Sequence, residues 1–116
     1  MNKTAMLAMA CALAFGSTAL YGQKKGDVAK GKEVFDQCSV CHNADSAERK
    51  MGPGLKGLFK KAKMDSTGKA PTEANVMEKI DGGGNGMPSY KDVLSPAERA
   101  DLIAYLKSLL ELTDFE

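Results

Sequence analysis

The feature that most constrains this chain is the run CSVCH at positions 38–42, which holds two of its three cysteines and its only histidine. Three chemistries use thiols and an imidazole at such a spacing: a thiol–disulfide pair, a metal site, and covalent attachment of haem. Each of them needs a different setting around the run. The rest of the sequence therefore has to decide between them.

The first 22 residues have the composition of a secretory signal peptide. An early lysine precedes an apolar run over residues 5–15, and small residues follow it. We expect cleavage after Ala19 or after Gly22, which would remove Cys11 and leave an exported, periplasmic domain. The alternative is an uncleaved membrane anchor, although the run is shorter than the ~20 residues that a membrane span needs.

Residues 23–116 are predicted to form one small domain that needs a bound group to complete its core. This segment has no tryptophan, contains many glycines and has few large apolar side chains. Small domains of this kind usually need a disulfide, a metal or a large cofactor to supply buried contacts. We therefore expect this domain to enclose a bound group that completes its hydrophobic core.

Basic and acidic residues are separated along this domain. Residues 49–69 contain seven lysines and arginines against one acid, whereas acids predominate after Pro71. The resulting dipole would steer the encounter with a partner, and a merely solvated loop is the alternative. Nucleic-acid binding is not expected, because the net charge is +1 and Phe59 is the only aromatic residue in the basic stretch.

The sequence pattern predicts an all-α domain. Asp27 is expected to cap a helix over residues 28–37, and Thr72 a second helix that runs through Ile80 and ends in DGGGNG. The run SPAE, which starts at Ser95, is a capping box with proline at the first helical position. Between the first two helices, glycines and prolines predict a loop with at most a short helical turn. No segment has a convincing strand pattern.

The first and last predicted helices should pack against each other. The last helix has an apolar stripe at the spacing i, i+3, i+4 and i+7, formed by Leu102, Tyr105, Leu106 and Leu109. The first helix carries four residues roughly on one side: Val28, Gly31, Phe35 and Cys38. This face is the most available partner for the stripe.

This setting favours haem attachment at CSVCH. A thiol–disulfide oxidoreductase has C-x-x-C at the start of a helix after a strand, whereas here a helix precedes the cysteines. Structural zinc prefers four protein ligands, and one histidine with two remaining cysteines supplies three. Haem attachment needs two thiols that add across the porphyrin vinyl groups and an adjacent histidine for the iron, and C-x-x-C-H is its signature. We expect Cys38 and Cys41 to be the covalent anchors and His42 the proximal ligand.

The ligand on the other face of the iron is not a histidine, since no second one is available; methionine, lysine, water or an empty position remain. Met51 lies too near the proximal loop, Met64 lies among lysines, and Met77 has a packing position within a helix. Met87 follows a glycine-rich run and precedes a proline, which gives a flexible approach and a rigid exit. Met87 is therefore the preferred candidate.

Several segments resemble class I cytochromes c, in the order expected of that family. GDVAKGKEVFDQCSVCH resembles the family's opening, with Gly31 and Phe35 at the helix-contact positions. GPGLKGLF resembles its Gly-Pro-x-Leu-x-Gly segment, and GMPSYKDVLSPAERADLIAYLKSL resembles the methionine loop and closing helix of small bacterial members. The resemblance spans residues 26–110. It implies three to four helices around one covalently bound haem c, with the N- and C-terminal helices packed together.

The resemblance also implies roles for individual residues. The backbone carbonyl of Pro53 would accept a hydrogen bond from His42 and fix the orientation of its ring, and Met87 would be the second axial ligand. Tyr90 is a candidate donor to a haem propionate, with an ordinary surface aromatic as the alternative. The lack of tryptophan and the short path from Gly57 to Met87 differ from the longer mitochondrial-type members.

These expectations combine into a function. Iron with two protein ligands has no free site for a substrate, but it still changes between the ferrous and ferric states. We expect a soluble, monomeric one-electron carrier, not an enzyme, that moves between a membrane reductase and a terminal oxidase or other acceptor. The alternatives are a haem enzyme or gas sensor with an open distal site, and a fixed subunit of a larger oxidoreductase.

Overall fold

The computed structural model describes residues 26–109, which form three α-helices and one short 3₁₀ turn. The helices are α1 (Val28–Phe35), α2 (Glu73–Gly82) and α3 (Pro96–Ser108), and the 3₁₀ turn is Leu58–Lys60. The described part of the chain has no β-strand, only an isolated bridge between Gly84 and Met87. The prediction of an all-α fold is therefore confirmed. The predicted leader, with Cys11, lies outside the described residues.

Each helix begins at the residue that the sequence predicts. The Asp27 side chain accepts from the Lys30 amide at 3.2 Å, and the Thr72 hydroxyl accepts from the Asn75 amide at 3.1 Å. At the start of α3, the Ser95 hydroxyl accepts from the Glu98 amide, and the Glu98 carboxylate accepts from the Ser95 amide at 2.8 Å. These bonds satisfy amides that have no partner within the helix.

The helix ends differ slightly from the prediction. The first helix stops at Phe35 instead of continuing to Gln37, because the Cys38 amide turns back to the Phe35 carbonyl at 2.7 Å. The second helix extends past Ile80 to Gly82. Gly83 caps it, and the Gly83 amide donates to the Lys79 carbonyl.

Helices α1 and α3 pack against each other, as predicted. Gly31 is buried at the crossing, where an added Cβ would lie 1.9 Å from the Asp101 carbonyl oxygen. The rings of Phe35 and Tyr105 meet beside it, with centroids 5.4 Å apart. Val28, at the N-terminal end of α1, is 46% exposed and is not buried as Gly31 and Phe35 are.

The core lies between α1, α2, α3 and the loops that connect them. Its buried side chains are Phe35, Leu58, Met64, Val76, Ile80, Leu94, Leu102, Ile103, Leu106 and Leu109. The presence of Met64 was not expected from its lysine-rich surroundings. A tight loop turns it inward: the Met64 amide donates to the Lys69 carbonyl and the Met64 carbonyl accepts from the Gly68 amide, both at 2.8 Å.

None of the helices among residues 26–109 has the length and apolar character needed to cross a lipid bilayer.

Candidate functional site

One cavity gathers all six residues that the sequence predicts for the site. It has a volume of about 570 Å³, which lies in the range of cofactor sites. Its lining includes Cys38, Cys41, His42, Pro53, Met87 and Tyr90. Apolar side chains from the 3₁₀ turn, α2 and α3 complete the walls, among them Leu58, Val76, Ile80, Leu102 and Leu106. The cavity therefore combines an apolar interior with a few chemically active groups.

The two cysteines lie in the turn that continues α1. The amides of Cys41 and His42 both donate to the Cys38 carbonyl, at 3.1 and 2.9 Å, so one turn of backbone carries all three side chains. Both thiols are free and half-buried. Burial, and then the neighbouring Cys41, raises the pKa of Cys38 to about 11. An exchange-active cysteine instead has a lowered pKa, so this environment disfavours thiol–disulfide chemistry.

The His42 ring is held by the loop that faces it. Its Nδ1 lies 2.8 Å from the Pro53 carbonyl oxygen. A carbonyl only accepts, so Nδ1 carries the proton, and Nε2 keeps the lone pair that can bind a metal. This is the geometry of an imidazole ligand whose other nitrogen is fixed by a backbone acceptor.

Gly52 lies directly against this ring. A Cβ built on Gly52 would lie 2.4 Å from His42 Cε1 and 2.8 Å from its Nδ1. The Gly52 amide also donates to the Cys41 carbonyl at 2.8 Å. The loop can thus press on the imidazole only because this position has no side chain. Its sequence pattern indicated a glycine-rich loop but not this contact.

Met87 is presented by a two-residue turn after α2. The amide and carbonyl of Gly84 pair with the carbonyl and amide of Met87, at 2.9 and 3.1 Å. Asn85 and Gly86 between them have φ values of 54° and 88°, as a type I′ turn requires. This Asn-Gly pair fixes Met87 at the end of a short, sharply folded segment that borders the cavity.

The other methionines differ in position. Met51 is 77% exposed at the cavity mouth, with its sulfur 3.9 Å from Cys41 Sγ. Met64 also lines the cavity but is buried in the core, and Met77 packs against the core without lining the cavity.

The Tyr90 side chain is half-buried and borders the cavity. Burial, followed by the charges of Cys38 and Cys41, raises the pKa of its phenol. The Tyr90 amide donates to the Ile80 carbonyl at 3.0 Å, which ties the segment after Met87 to α2.

A haem c fits these residues. Two free thiols on one turn match the two vinyl groups, one oriented imidazole supplies a nitrogen for iron, and an apolar cavity suits the porphyrin. Among residues 26–109, no cluster of three or more histidine, cysteine or acidic side chains could hold a metal ion by itself.

Comparisons with known proteins agree with this geometry. Residues 28–110 match the family model described as Cytochrome c. A cytochrome c from Chlamydomonas reinhardtii is 36% identical over 99 residues, covering 71% of this chain and 88% of the relative. A cytochrome c2 from Agrobacterium tumefaciens is 35% identical over 83 residues, covering 69% and 65%. The solved structure of cytochrome c6 from the diatom Phaeodactylum tricornutum is similar with a TM-score of 0.54 and 30% identity, covering 72% of this chain and 95% of that one.

Proposed function

This chain belongs to the cytochrome c family and carries one covalently bound haem c, and we propose that it is an electron carrier whose iron is ligated by His42 and Met87. The observation that carries the proposal is the single cavity that two free thiols, the Pro53-bound imidazole and the Met87 turn all border. Bound haem supplies an iron that alternates between the ferrous and ferric states.

In this proposal each residue has a separate task. Cys38 and Cys41 attach the ring through thioether bonds, and Nε2 of His42 binds the iron from one side. Met87 would supply the second iron ligand, which would leave no free position for a substrate or oxygen. A thioether ligand favours the ferrous state and raises the potential, which suits a carrier that delivers electrons to an acceptor.

Partner docking is proposed at the cavity mouth near Cys41. Met51 lines the cavity and is 77% exposed, and Val40, which precedes Cys41 in the chain, is 71% exposed. The basic residues Arg49 and Lys50 directly precede Met51. Two cations farther along the basic stretch have acidic neighbours: Lys61 with Asp65 at 3.6 Å, and Lys69 with Glu78 at 2.8 Å. An apolar contact flanked by exposed cations favours brief, salt-sensitive encounters with acidic partners.

The cellular setting is proposed from the sequence. Residues 1–22 would direct export and be removed, leaving residues 23–116 as a soluble, monomeric periplasmic domain. Its donors and acceptors would be a membrane reductase and a terminal oxidase or other respiratory acceptor. Tyr90 remains a candidate for contact with a haem propionate.

The test of the ligand assignment is the optical spectrum of purified Met87→Ala. Wild-type ferric protein should have the charge-transfer band that a methionine sulfur gives with haem iron, and the variant should lose it and have a lower potential. Met77→Ala is the matched control, because Met77 packs outside the cavity. Wild-type ferrous protein should not bind added carbon monoxide readily. Retention of the band in Met87→Ala, or ready binding of carbon monoxide by the wild type, would contradict the assignment.

A further inference from the structure

The segment that carries Met87 is held by the side chain of Lys79. The Lys79 ammonium donates to the Gly83 carbonyl at 2.9 Å and to the Gly84 carbonyl at 3.2 Å. The Lys79 carbonyl also accepts from the Gly83 amide at 2.8 Å. Lys79 is half-buried and borders the same cavity as Met87. One residue of α2 thus contacts the loop through both its backbone and its side chain.

This segment needs such a contact, because its backbone conformation is unusual. Four consecutive residues have positive φ: Gly83 at 63°, Gly84 at 105°, Asn85 at 54° and Gly86 at 88°. Three of them are glycines, which lose more conformational freedom on ordering than any other residue. The Gly84 carbonyl is the central atom here, since it accepts both from Lys79 and from the Met87 amide.

We propose that Lys79 is a positioning residue that holds the Gly83–Gly86 turn so that Met87 stays on the iron. The inference rests on the proposed ligation by Met87 and extends it to a residue that does not touch the metal. A cation is favourable here for a second reason, because the carbonyls at the C-terminus of a helix carry partial negative charge.

The contribution of Lys79 to the binding of Met87 should be largest in the ferric protein. A thioether binds ferrous iron better than ferric iron, so the ferric methionine bond depends more on the order of the turn. Without the ammonium, the turn would be less ordered before Met87 binds, so binding of Met87 would cost more conformational entropy. A competing ligand would then displace Met87 more easily. A hydrogen bond to a charged group is strong enough to change this competition roughly ten-fold.

Lys79→Met and Lys91→Met form a matched pair for the test. Both remove one positive charge with the same substitution, but Lys91 is exposed and lies beyond the turn, four residues after Met87. Each purified haem-loaded variant is titrated with imidazole in the ferric state, and the methionine charge-transfer band is recorded. Lys79→Met should bind imidazole roughly ten-fold more tightly than wild type, with a weakened band. Lys91→Met should match wild type, and Lys79→Arg should restore most of the difference.

The outcomes separate this inference from the proposed function. If wild-type ferric protein lacks the methionine band, ligation by Met87 fails and the role of Lys79 fails with it. If wild type has the band and Lys79→Met and Lys91→Met bind imidazole with equal affinity, only the positioning role of Lys79 is overturned. A Lys79→Met variant that unfolds more easily in both redox states, with unchanged imidazole affinity, would also overturn it. Lys79→Gln, which keeps a shorter donor, replaces Lys79→Met if that variant does not retain haem, and it should likewise bind imidazole more tightly than wild type.

Discussion

At the scale of single residues, Gly52 is a position where one added methyl group should disturb the His42 ring directly. In Gly52→Ala the new Cβ would overlap the His42 ring, 2.4 Å from Cε1. The ring or the loop must move, and the bond from Nδ1 to the Pro53 carbonyl weakens. We expect a loss of about 1–3 kcal/mol in the free energy of unfolding and a lower yield of haem-loaded protein.

The measurement is denaturant unfolding of the purified protein, with haem staining of a denaturing gel. Gly82→Ala is the matched control, because a Cβ there meets no atom within 4 Å and alanine favours a helix over glycine. If Gly52→Ala and Gly82→Ala have the same free energy of unfolding and the same haem content, the close contact between Gly52 and His42 contributes nothing to stability or haem loading.

A residue's role can be predicted from the sequence when it depends on residues that are close to it in the chain. The cysteines and His42 belong to one run of five residues, so their joint chemistry can be inferred without a structure. Lys79 also has a local signal, a cation in the last turn of a helix, but its bond to the Gly84 carbonyl depends on how the glycines fold back. The burial of Met64 has no local signal of this kind, since the loop bonds that turn it inward do not follow from neighbouring side chains.

At the scale of elements, the contact between α1 and α3 depends on the missing side chain of Gly31. Alanine is normally better than glycine inside a helix by about 1 kcal/mol, yet here the Cβ would lie 1.9 Å from a backbone oxygen of α3. Backbone moves only with its helix, so Gly31→Ala should separate the two helices. We expect a net loss of about 1–3 kcal/mol in denaturant unfolding.

Ala29→Leu is the control for this variant, since it adds a larger side chain to an exposed position of the same helix. It should unfold within about 0.5 kcal/mol of wild type. Equal unfolding midpoints for wild type and Gly31→Ala would mean that the helices tolerate a wider separation than their packing indicates.

The capping box of α3 gives a second prediction at this scale. Ser95→Ala removes the acceptor for the Glu98 amide and should lower the free energy of unfolding by about 1 kcal/mol. Ser95→Asp should stay close to wild type, because aspartate caps as well as serine does. If aspartate and alanine give the same loss, the hydroxyl acceptor is not what stabilises this end of the helix.

Helix starts could be predicted more accurately than helix ends. Asp27, Thr72 and Ser95 act through side chains only three residues from their partners, and this spacing is visible in the sequence. The end of α1 at Phe35 depends on the turn that places Cys38 and Cys41, which competes with further helix. The end of α2 depends on which of several successive glycines adopts the cap conformation.

At the scale of the whole molecule, the cavity shows why the composition predicted a shell. Several buried side chains of α2, α3 and the 3₁₀ turn pack together on one side and line a shared space of about 570 Å³ on the other. Sparse large side chains and abundant glycine implied a missing component of the core. The identity of that component came from CSVCH, while the donor and acceptor proteins have no comparable signal in the sequence.

This architecture predicts that the chain does not fold stably without its cofactor. Without the cofactor, the apolar walls of this cavity of about 570 Å³ would be exposed to water, and a domain this small has few other buried contacts to offset that loss. Cys38→Ala combined with Cys41→Ala should therefore lose cooperative thermal unfolding and near-ultraviolet circular dichroism. Cys38→Ala alone, with one thioether remaining, should retain both in its haem-loaded fraction. A colourless double variant that unfolds as cooperatively as the holoprotein would mean that the helices close the cavity by themselves, and that the cofactor adds redox chemistry to an already complete core.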